Sequence, residues 1–215
     1  MKDGTCVKCN ARITKAAALN HLRDCIPLNP PDTSRESFVL RINDRDVYRY
    51  WMYVKISGSA TLLDLDSFLR DEWLECCGHL SMFDIDGIQY EDLAKLDEDI
   101  WGSTDTKIAV EKILYKGLSF KHVYDFRDRT TLGLTVVGKY QDDASAKKQV
   151  KLLVKNNPTR HRCKICKKDA DLICRDCYEV SPSPSYFCKS CSEKHDQHEL
   201  HPVANSPRMG TCEYG

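Results

Sequence analysis

The chain has 215 residues, of which 41% are hydrophobic and 30% are charged, and 32 basic residues balance 32 acidic ones. This composition excludes a largely disordered chain, and the formal net charge of zero gives no global field that would draw the protein onto nucleic acid. The apolar runs are far shorter than the ~20 residues that span a bilayer, and no secretory leader is visible. We therefore expect a cytoplasmic protein with no membrane partner.

Twelve cysteines is a high number for this length, and all but Cys76 and Cys77 lie near the two ends of the chain. In a reducing compartment thiols rarely persist as disulfides, so CxxC pairs with nearby histidines favour metal binding. The disulfide interpretation applies only if the protein is secreted.

The first cysteine group has the spacing of a CCHC zinc finger, which we assign to residues 1–28. Its candidate ligands are Cys6, Cys9, His21 and Cys25. The short gap lets Cys6 and Cys9 reach one ion, and His21 and Cys25 share one face of a helix predicted from Thr14 to Cys25. The alternative interpretation is a surface helix that carries free thiols.

Residues 29–35, rich in proline and turn-forming residues, form a predicted linker after the finger. We expect the finger to move independently of the middle domain. Its partner stays open between nucleic acid and protein, because a single finger reads only about 3 base pairs.

The middle of the chain, residues 36–156, carries the apolar alternation of β-strands. Residues 38–42 and 48–56 predict a hairpin, and further strands are predicted at 80–85, 108–114, 120–126, 131–140 and 149–154.

Between these strands, Thr61 and Asp64 have capping-box spacing at the start of a helix predicted from Leu62 to Cys76. The apolar positions of this helix, Leu62, Leu65, Leu69 and Trp73, recur at helical spacing. A second, short helix is predicted near Glu91 to Leu96. The predicted fold class is α+β: a mostly antiparallel sheet with one long helix, flanked by small zinc-binding domains at both termini.

Two stretches of the middle domain, Trp73-Leu-Glu-Cys-Cys-Gly-His79-Leu-Ser-Met-Phe83 and Tyr124-Asp-Phe126, resemble the plasmid pRiA4b ORF-3-like family. Its members are also labelled TnpR-like passengers of an insertion element. The resemblance covers roughly residues 36–156 and is closest to an archaeal branch with cysteine-rich ends. It implies an α+β domain with a curved antiparallel sheet and no established biochemical function. Many members continue with Gly-Asp-x-Trp and a histidine, which Arg127-Asp128-Arg129-Thr130 lacks here, so a site built on that motif is not expected.

Two polar groups of the middle domain are candidate chemical sites. Cys76, Cys77 and His79 could form a metal or nucleophile site, and His122, Asp125 and Asp128 could exchange protons. We favour structural roles for both groups. Cys76 continues an apolar helix stripe, His122 alternates along a strand, and aspartates are common in turns.

Residues 157–215 contain three CxxC pairs and a group of histidines. The candidate ligands are Cys163, Cys166, Cys174, Cys177, Cys188, Cys191, His195 and His198. So short a segment with few large apolar residues needs metal in place of a core. The order of the pairs predicts a cross-brace resembling a B-box, in which the first and third pairs share one ion and the second pair joins the two histidines. Zinc is the expected metal, with three ions in the whole chain.

Two alternatives remain open for this end. His201 or Cys212 could replace His195 or His198, and the first two CxxC pairs could bind one ion as a zinc ribbon, although their separation is shorter than in most ribbons. In either case the sites are expected to be structural, because catalytic zinc keeps an open coordination position.

These patterns favour a non-enzymatic zinc-binding interaction module with protein partners, and they indicate no small-molecule substrate. The second hypothesis is a nucleic-acid-binding protein associated with mobile elements and recombination. The third is an enzyme of unrecognised type that uses Cys76, Cys77 and His79.

Overall fold

The computed structural model describes residues 3–25, 35–46, 49–95, 103–142, 149–177, 184–195, 198–212 and 214. They form two compact units, one within Met1–Asp71 and Leu80–Asn157 and the other within Glu72–His79 and Pro158–Gly215. The predicted linker, apart from residue 35, and Tyr48 of the predicted hairpin lie outside the described residues.

The first unit is built on a ten-stranded sheet with the order β2-β1-β10-β4-β3-β9-β8-β5-β6-β7. Its strands are β1 Asp3–Cys6, β2 Arg12–Thr14, β3 Arg35–Asp44, β4 Trp51–Ser57, β5 Ser81–Ile85, β6 Ile88–Glu91, β7 Thr104–Asp105, β8 Ser119–Tyr124, β9 Thr130–Asp142 and β10 Val150–Asn156. Only β6 and β7 pair in parallel among these described strands. The fold is therefore α+β with a large, mostly antiparallel sheet and few helices.

The predicted hairpins are confirmed where residues are described. β3 pairs with β4, and β8 pairs with β9, both antiparallel. The alternating residues Phe38, Leu40 and Ile42 of β3 are completely buried, as a strand with one face on a core requires. The sheet also contains a hairpin of β5 and β6 that turns at Asp86 and Gly87, both at positive φ. This two-residue Asp-Gly turn matches the twist of paired strands.

The helix of the first unit is shorter than predicted. The capping box is present: Asp64 N donates to Thr61 Oγ1 at 3.1 Å, and Thr61 N donates to the Asp64 carboxylate at 2.7 Å. The α-helix α2 covers Leu62–Leu69 and continues as a π-helical segment, Arg70–Leu74. The prediction of one long helix to Cys76 was wrong, because the chain leaves helical geometry before the Cys76–His79 turn.

Two other predictions for this unit also fail. Residues 108–114 form no strand but contain a short 3-10 helix, Val110–Lys112. The helix predicted near Glu91 to Leu96 is reduced to a single 3-10 turn, Leu93–Lys95, and Leu96 lies outside the described residues. Both segments are too short to sustain the periodicity that distinguishes helix from strand.

The amino-terminal segment belongs to the sheet, in contrast to the expected independent finger. β1 pairs with β10 on one side and with β2 on the other. Helix α1, Ala18–Cys25, buries Ala18 and Leu22 in a cluster that includes Trp51 and Val154. A Cβ atom at Gly4 would lie 2.6 Å from the Trp51 ring, so only glycine allows this close approach.

The second unit contains a small antiparallel sheet with the order β12-β11-β13. The strands are β11 Leu172–Cys174, β12 Ser185–Phe187 and β13 Leu200–Pro202, and helix α3 covers Lys189–Ser192. Apart from cysteines, the buried apolar side chains described in this unit are Trp73, Leu74, Ile173 and Phe187. So few buried side chains cannot form an ordinary core.

Within the described part of the chain, no helix has both the length and the apolar character needed to cross a membrane.

Candidate metal centres

Four groups of cysteine and histidine side chains converge in the structure, and the donor atoms of each group all lie within 4.8 Å of one another. The groups are Cys6, Cys9, His21, Cys25; Cys76, Cys77, His79, Cys212; Cys163, Cys166, Cys188, Cys191; and Cys174, Cys177, His195, His198. From zinc–sulfur bonds of ~2.3 Å and zinc–nitrogen bonds of ~2.0 Å, tetrahedral ligands are ~3.8 Å apart for two sulfurs and ~3.5 Å apart for sulfur and nitrogen. The groups at both ends of the chain could therefore bind metal.

The amino-terminal group is held by the β1–β2 turn and helix α1. Cys6 ends β1, and Asn10 N donates to Cys6 O at 2.9 Å, which closes the knuckle that carries Cys9. The Cys9 Sγ lies 3.4 Å from His21 Nε2, and the Cys6 and Cys25 sulfurs are 4.0 Å apart. These spacings fit a tetrahedral ion.

Helix α1 starts later than the sequence predicted. It begins at Ala18 rather than near Thr14, because residues 12–14 pair with β1 as a strand. Thr14 still stabilises the turn that precedes the helix, because its Oγ1 accepts a hydrogen bond from Ala17 N at 3.3 Å. His21 and Cys25 remain one helical turn apart, as the ligand spacing requires.

The first carboxy-terminal group joins two CxxC turns. Lys167 N donates to Cys163 O, and Cys191 N donates to Cys188 O, each at 3.0 Å. The sulfurs of Cys166 and Cys188 are 3.5 Å apart. The first and third CxxC pairs therefore converge on one point.

The second carboxy-terminal group combines Cys174 and Cys177 with two histidines. Cys177 Sγ lies 3.5 Å from both His195 Nε2 and His198 Nδ1, and Cys174 Sγ lies 3.6 Å from His198 Nδ1. The ring of Phe187 stacks on His195 with 4.4 Å between centroids and fixes its orientation. The grouping is that of a cross-brace, and not of the ribbon alternative.

The two alternative ligands of this end lie elsewhere. His201 belongs to β13, where it pairs with Ile173, and is in none of the four groups. Cys212 lies with Cys76, Cys77 and His79.

Thiols within these groups shift one another's pKa. The pKa of Cys163 falls to about 6, mainly because the backbone N–H of Cys166 hydrogen-bonds to its sulfur. The hydrogen bond with Cys188, followed by burial, raises the pKa of Cys191 to about 12. Burial, with a smaller contribution from Cys9, raises the pKa of Cys25 to about 11. Crowded thiols therefore do not all ionise by themselves, and a divalent cation would remove their repulsion.

The sequence identifies Cys76, Cys77 and His79 as a candidate group, but it does not indicate that Cys212 lies with them. The two parts of this set are separated by more than a hundred residues and contain no CxxC pair. One signal could have identified it: three sites with the predicted ligands leave three cysteines over, namely Cys76, Cys77 and Cys212. Cys76 also departs from the expectation that it would continue a buried helix stripe, because the helix ends at Leu74.

In the second candidate group of the middle domain, His122, Asp125 and Asp128, the contacts of His122 and Asp125 are those of structural residues. His122 is completely buried, and its Nε2 lies 2.7 Å from Asp66 Oδ1. The Asp66 carboxylate also accepts hydrogen bonds from Arg70 Nε at 2.6 Å and from Ser81 Oγ at 2.7 Å. These contacts tie helix α2 to strands β5 and β8.

The same contacts control the ionisation of Asp66. Burial opposes ionisation of this carboxyl. The hydrogen bond and charge of His122, together with Arg70, outweigh that effect and hold the pKa of Asp66 below its usual range. Asp66 is therefore a buried, ionised carboxylate that binds Arg70 and His122 by charged hydrogen bonds.

Asp125 instead closes a turn. Its Oδ1 accepts hydrogen bonds from Arg127 N and Asp128 N at 3.0 and 3.2 Å, and its own φ is 62°. This is the turn role expected for aspartate.

The first unit also has an open cleft of about 640 Å³ beside strands β3, β8 and β9. Its charged lining is of mixed sign: Lys15, Arg41, Arg45 and Lys121 lie with Asp44, Asp84 and Asp86. Its described lining includes no cysteine or histidine, so no nucleophile or metal group of the kinds above is part of it.

No family model matches the chain, and no curated protein matches it. A solved structure from Methanosarcina mazei Go1, titled a protein of unknown function, MM3350, is similar over 57% of this chain and 68% of its own, with 13% identity and a TM-score of 0.45. A similarity of this strength carries no functional argument. The resemblance to the plasmid pRiA4b ORF-3-like family stays a prediction.

Proposed function

We propose that this chain is a non-enzymatic, zinc-organised interaction protein whose partner is another protein. One observation carries the proposal: each predicted metal group offers four sulfur or nitrogen donors within 4.8 Å. Four protein ligands complete a tetrahedral zinc site and leave no position for water or substrate. Metal in such groups organises a surface and does not activate a reactant.

The surface with the best support for partner binding is the CxxC turn of Cys163 and Cys166. Its apolar residue, Ile165, is 53% exposed. The turn is tied to strand β12, because Lys164 N donates to Tyr186 O at 2.8 Å and Lys164 Nζ donates to Ser185 Oγ at 3.1 Å. An apolar side chain on a rigid turn loses little conformational entropy when it binds, which favours its use as an anchor.

Basic residues within this turn and next to it in the sequence support a second candidate function, nucleic-acid binding. They are Arg160, Arg162, Lys164, Lys167 and Lys168. Arg162 pairs with Asp169 at 2.9 Å, and the formal net charge of the whole chain is zero, which weakens this candidate. The phosphate backbone of a nucleic acid would contact the basic side chains and not Ile165, whereas a protein partner would bury Ile165.

A matched pair of substitutions tests the proposal. Ile165→Ser removes the exposed side chain on the metal turn, and Ile88→Ser removes an isoleucine that is 50% exposed in the first unit. Tagged full-length protein, loaded with zinc, is incubated with nuclease-treated cell extract, and retained proteins are quantified by mass spectrometry. We expect a protein whose retention falls at least tenfold with Ile165→Ser and not with Ile88→Ser, and which, once purified, binds the chain with fixed stoichiometry.

The contrary outcome is equally clear. If no protein depends on Ile165, while the chain binds mixed nucleic acid with an affinity that falls steeply with salt and with Lys167→Ala, the nucleic-acid function replaces the protein-binding one. Zinc content measured on each variant verifies that the metal groups are intact.

A further inference from the structure

We propose that Cys76, Cys77, His79 and Cys212 form a fourth zinc site, in addition to the three sites that the sequence predicts. Their donor atoms all lie within 4.8 Å of one another. Cys212 Sγ is 3.3 Å from Cys77 Sγ and 3.5 Å from His79 Nε2. Three sulfurs and one imidazole nitrogen are a donor set that zinc takes in closed tetrahedral sites.

The backbone at both ends of this group adopts the geometry that convergence requires. Gly78, between Cys77 and His79, has φ of +71°, which only glycine adopts readily. Cys212 has φ of +52°, an uncommon value for a residue with a side chain. A strained backbone at a ligand position is typical of functional sites, where the surrounding interactions hold it.

A buried cation lies beside the group. The side chain of Arg208 is completely buried, and its Nη2 donates to Cys76 Sγ at 3.6 Å. Zinc bound by three thiolates and one neutral imidazole has a net charge of −1, so a guanidinium complements it. Hydrogen bonds from such neighbours to ligand sulfur are a regular part of metal sites.

The segment that carries Cys212 is positioned by contacts other than the metal group. Ser206 Oγ donates to Trp73 O at 2.6 Å, and Arg208 N donates to Ser206 Oγ at 2.8 Å. These contacts hold residues 206–208 beside Trp73, within the same unit and close in sequence to both halves of the group. Metal would then fasten residues 72–79 to the rest of the second unit.

A disulfide does not explain this geometry as well. The Cys77 and Cys212 sulfurs are 3.3 Å apart, far from the ~2.05 Å of an S–S bond, and a disulfide would give no role to His79 or Cys76.

The test counts zinc on the full chain by native mass spectrometry in reducing buffer. We expect four ions on the wild-type protein, and three on both Cys212→Ser and His79→Ala. His201→Ala is the matched control, because His201 lies in the same unit and in none of the four groups. It should retain four ions. A wild-type count of three, or equal counts for wild type and Cys212→Ser, would overturn the proposal.

A second measurement uses the wild-type protein alone, in case a substitution releases more than one ion. Alkylation of the zinc-loaded protein, mapped by peptide mass spectrometry, should leave Cys77 and Cys212 as protected as Cys166 of the cross-brace. Both should react after a strong chelator is added. Rapid alkylation of Cys77 in the zinc-loaded state, or a Cys77–Cys212 disulfide in the unreduced protein, would also overturn the proposal. Neither result depends on whether the partner is a protein. The proposal of a fourth zinc site can therefore be contradicted without affecting the proposed protein-binding function, and the reverse is also true.

Discussion

The two units of this protein reach stability by different means. The first unit buries apolar side chains from many strands, and Phe38, Leu40, Ile42, Met52 and Ile56 are completely buried. The second unit buries few apolar side chains among its described residues and instead brings together three of the four metal-ligand groups. A fold with a wide sheet can rely on hydrophobic burial, whereas short strands and turns need local cross-links.

The amino-terminal group combines both means. Its ligand Cys6 and the neighbouring Leu22 of helix α1 are completely buried in a cluster shared with Trp51 and Val154. A metal ion in this group would therefore add to a hydrophobic core, whereas ions in the second unit would replace one.

Removal of metal should have the largest effect and should destabilise the second unit much more than the first. Apparent binding free energies of structural zinc sites are on the order of 10 kcal/mol, which exceeds what the few buried side chains of the second unit can supply. After treatment with a strong chelator, we expect residues 158–177 and 198–212 to exchange amide hydrogens as an unfolded chain does. Strands β3, β8 and β9 should stay protected. Hydrogen exchange followed by mass spectrometry measures both.

Two observations would break the comparison. Protection of β11 and β13 after complete removal of metal would mean that the second unit has a sufficient apolar core. Loss of protection in β3 and β9 would mean that the first unit also depends on metal.

The buried Asp66 provides the next largest effect, confined to the first unit. Asp66→Asn should lower the free energy of unfolding of that unit by about 3 kcal/mol, because it removes the charge that Arg70 and His122 bind. Asp84→Asn is the control. Asp84 pairs with Lys121 at 3.8 Å on the surface, so its loss should cost less than about 1 kcal/mol. Denaturant unfolding is monitored by hydrogen exchange of the β8 amides. This signal reports the stability of the first unit alone.

The same carboxyl sets a pH dependence. Since the folded pKa of Asp66 lies below the unfolded value of about 3.9, its contribution is complete well above that value and is lost as pH falls towards the folded pKa. Asp66→Asn should flatten the decline in stability of the first unit below about pH 5. An unchanged acid profile would contradict the role assigned to this carboxylate.

The smallest effect concerns the helix cap. Thr61→Ala removes the side-chain acceptor for Asp64 N and should lower stability of the first unit by about 1 kcal/mol, without change in zinc content. Thr61→Ser retains the hydroxyl and should cost much less. Equal losses for the two variants would assign the effect to the lost methyl group, and a change in zinc content would contradict a role confined to the helix cap.

The features predicted correctly from the sequence are local. Thr61 and Asp64 are three residues apart, and their spacing alone predicts the capping box that the structure contains. The hairpin strands around residues 120 and 135 follow from alternation within one segment. The cysteine spacings indicate which pairs act together, and their metal occupancy stays a prediction.

The features that the sequence did not reveal depend on contacts between distant residues. Nothing near Cys6 indicates that β1 pairs with β10, and nothing near Cys77 indicates Cys212. The helix from Leu62 ends at Leu74, and nothing in the sequence of the following turn indicates that it lies close to Cys212. Periodicity within a window carries no information on such partners.

The pairing of β1 with β10 has a consequence for synthesis of the protein. Thr5 and Asn157, whose side chains are hydrogen-bonded, are 152 residues apart. At roughly 5–20 residues per second, translation takes roughly 8 to 30 seconds to connect them. The candidate ligands from Cys6 to Cys25 have all been synthesised long before that. One edge of β1, however, has no partner until β10 has been synthesised. Newly made chains are therefore open to mispairing at that edge until the last strand of the sheet has emerged.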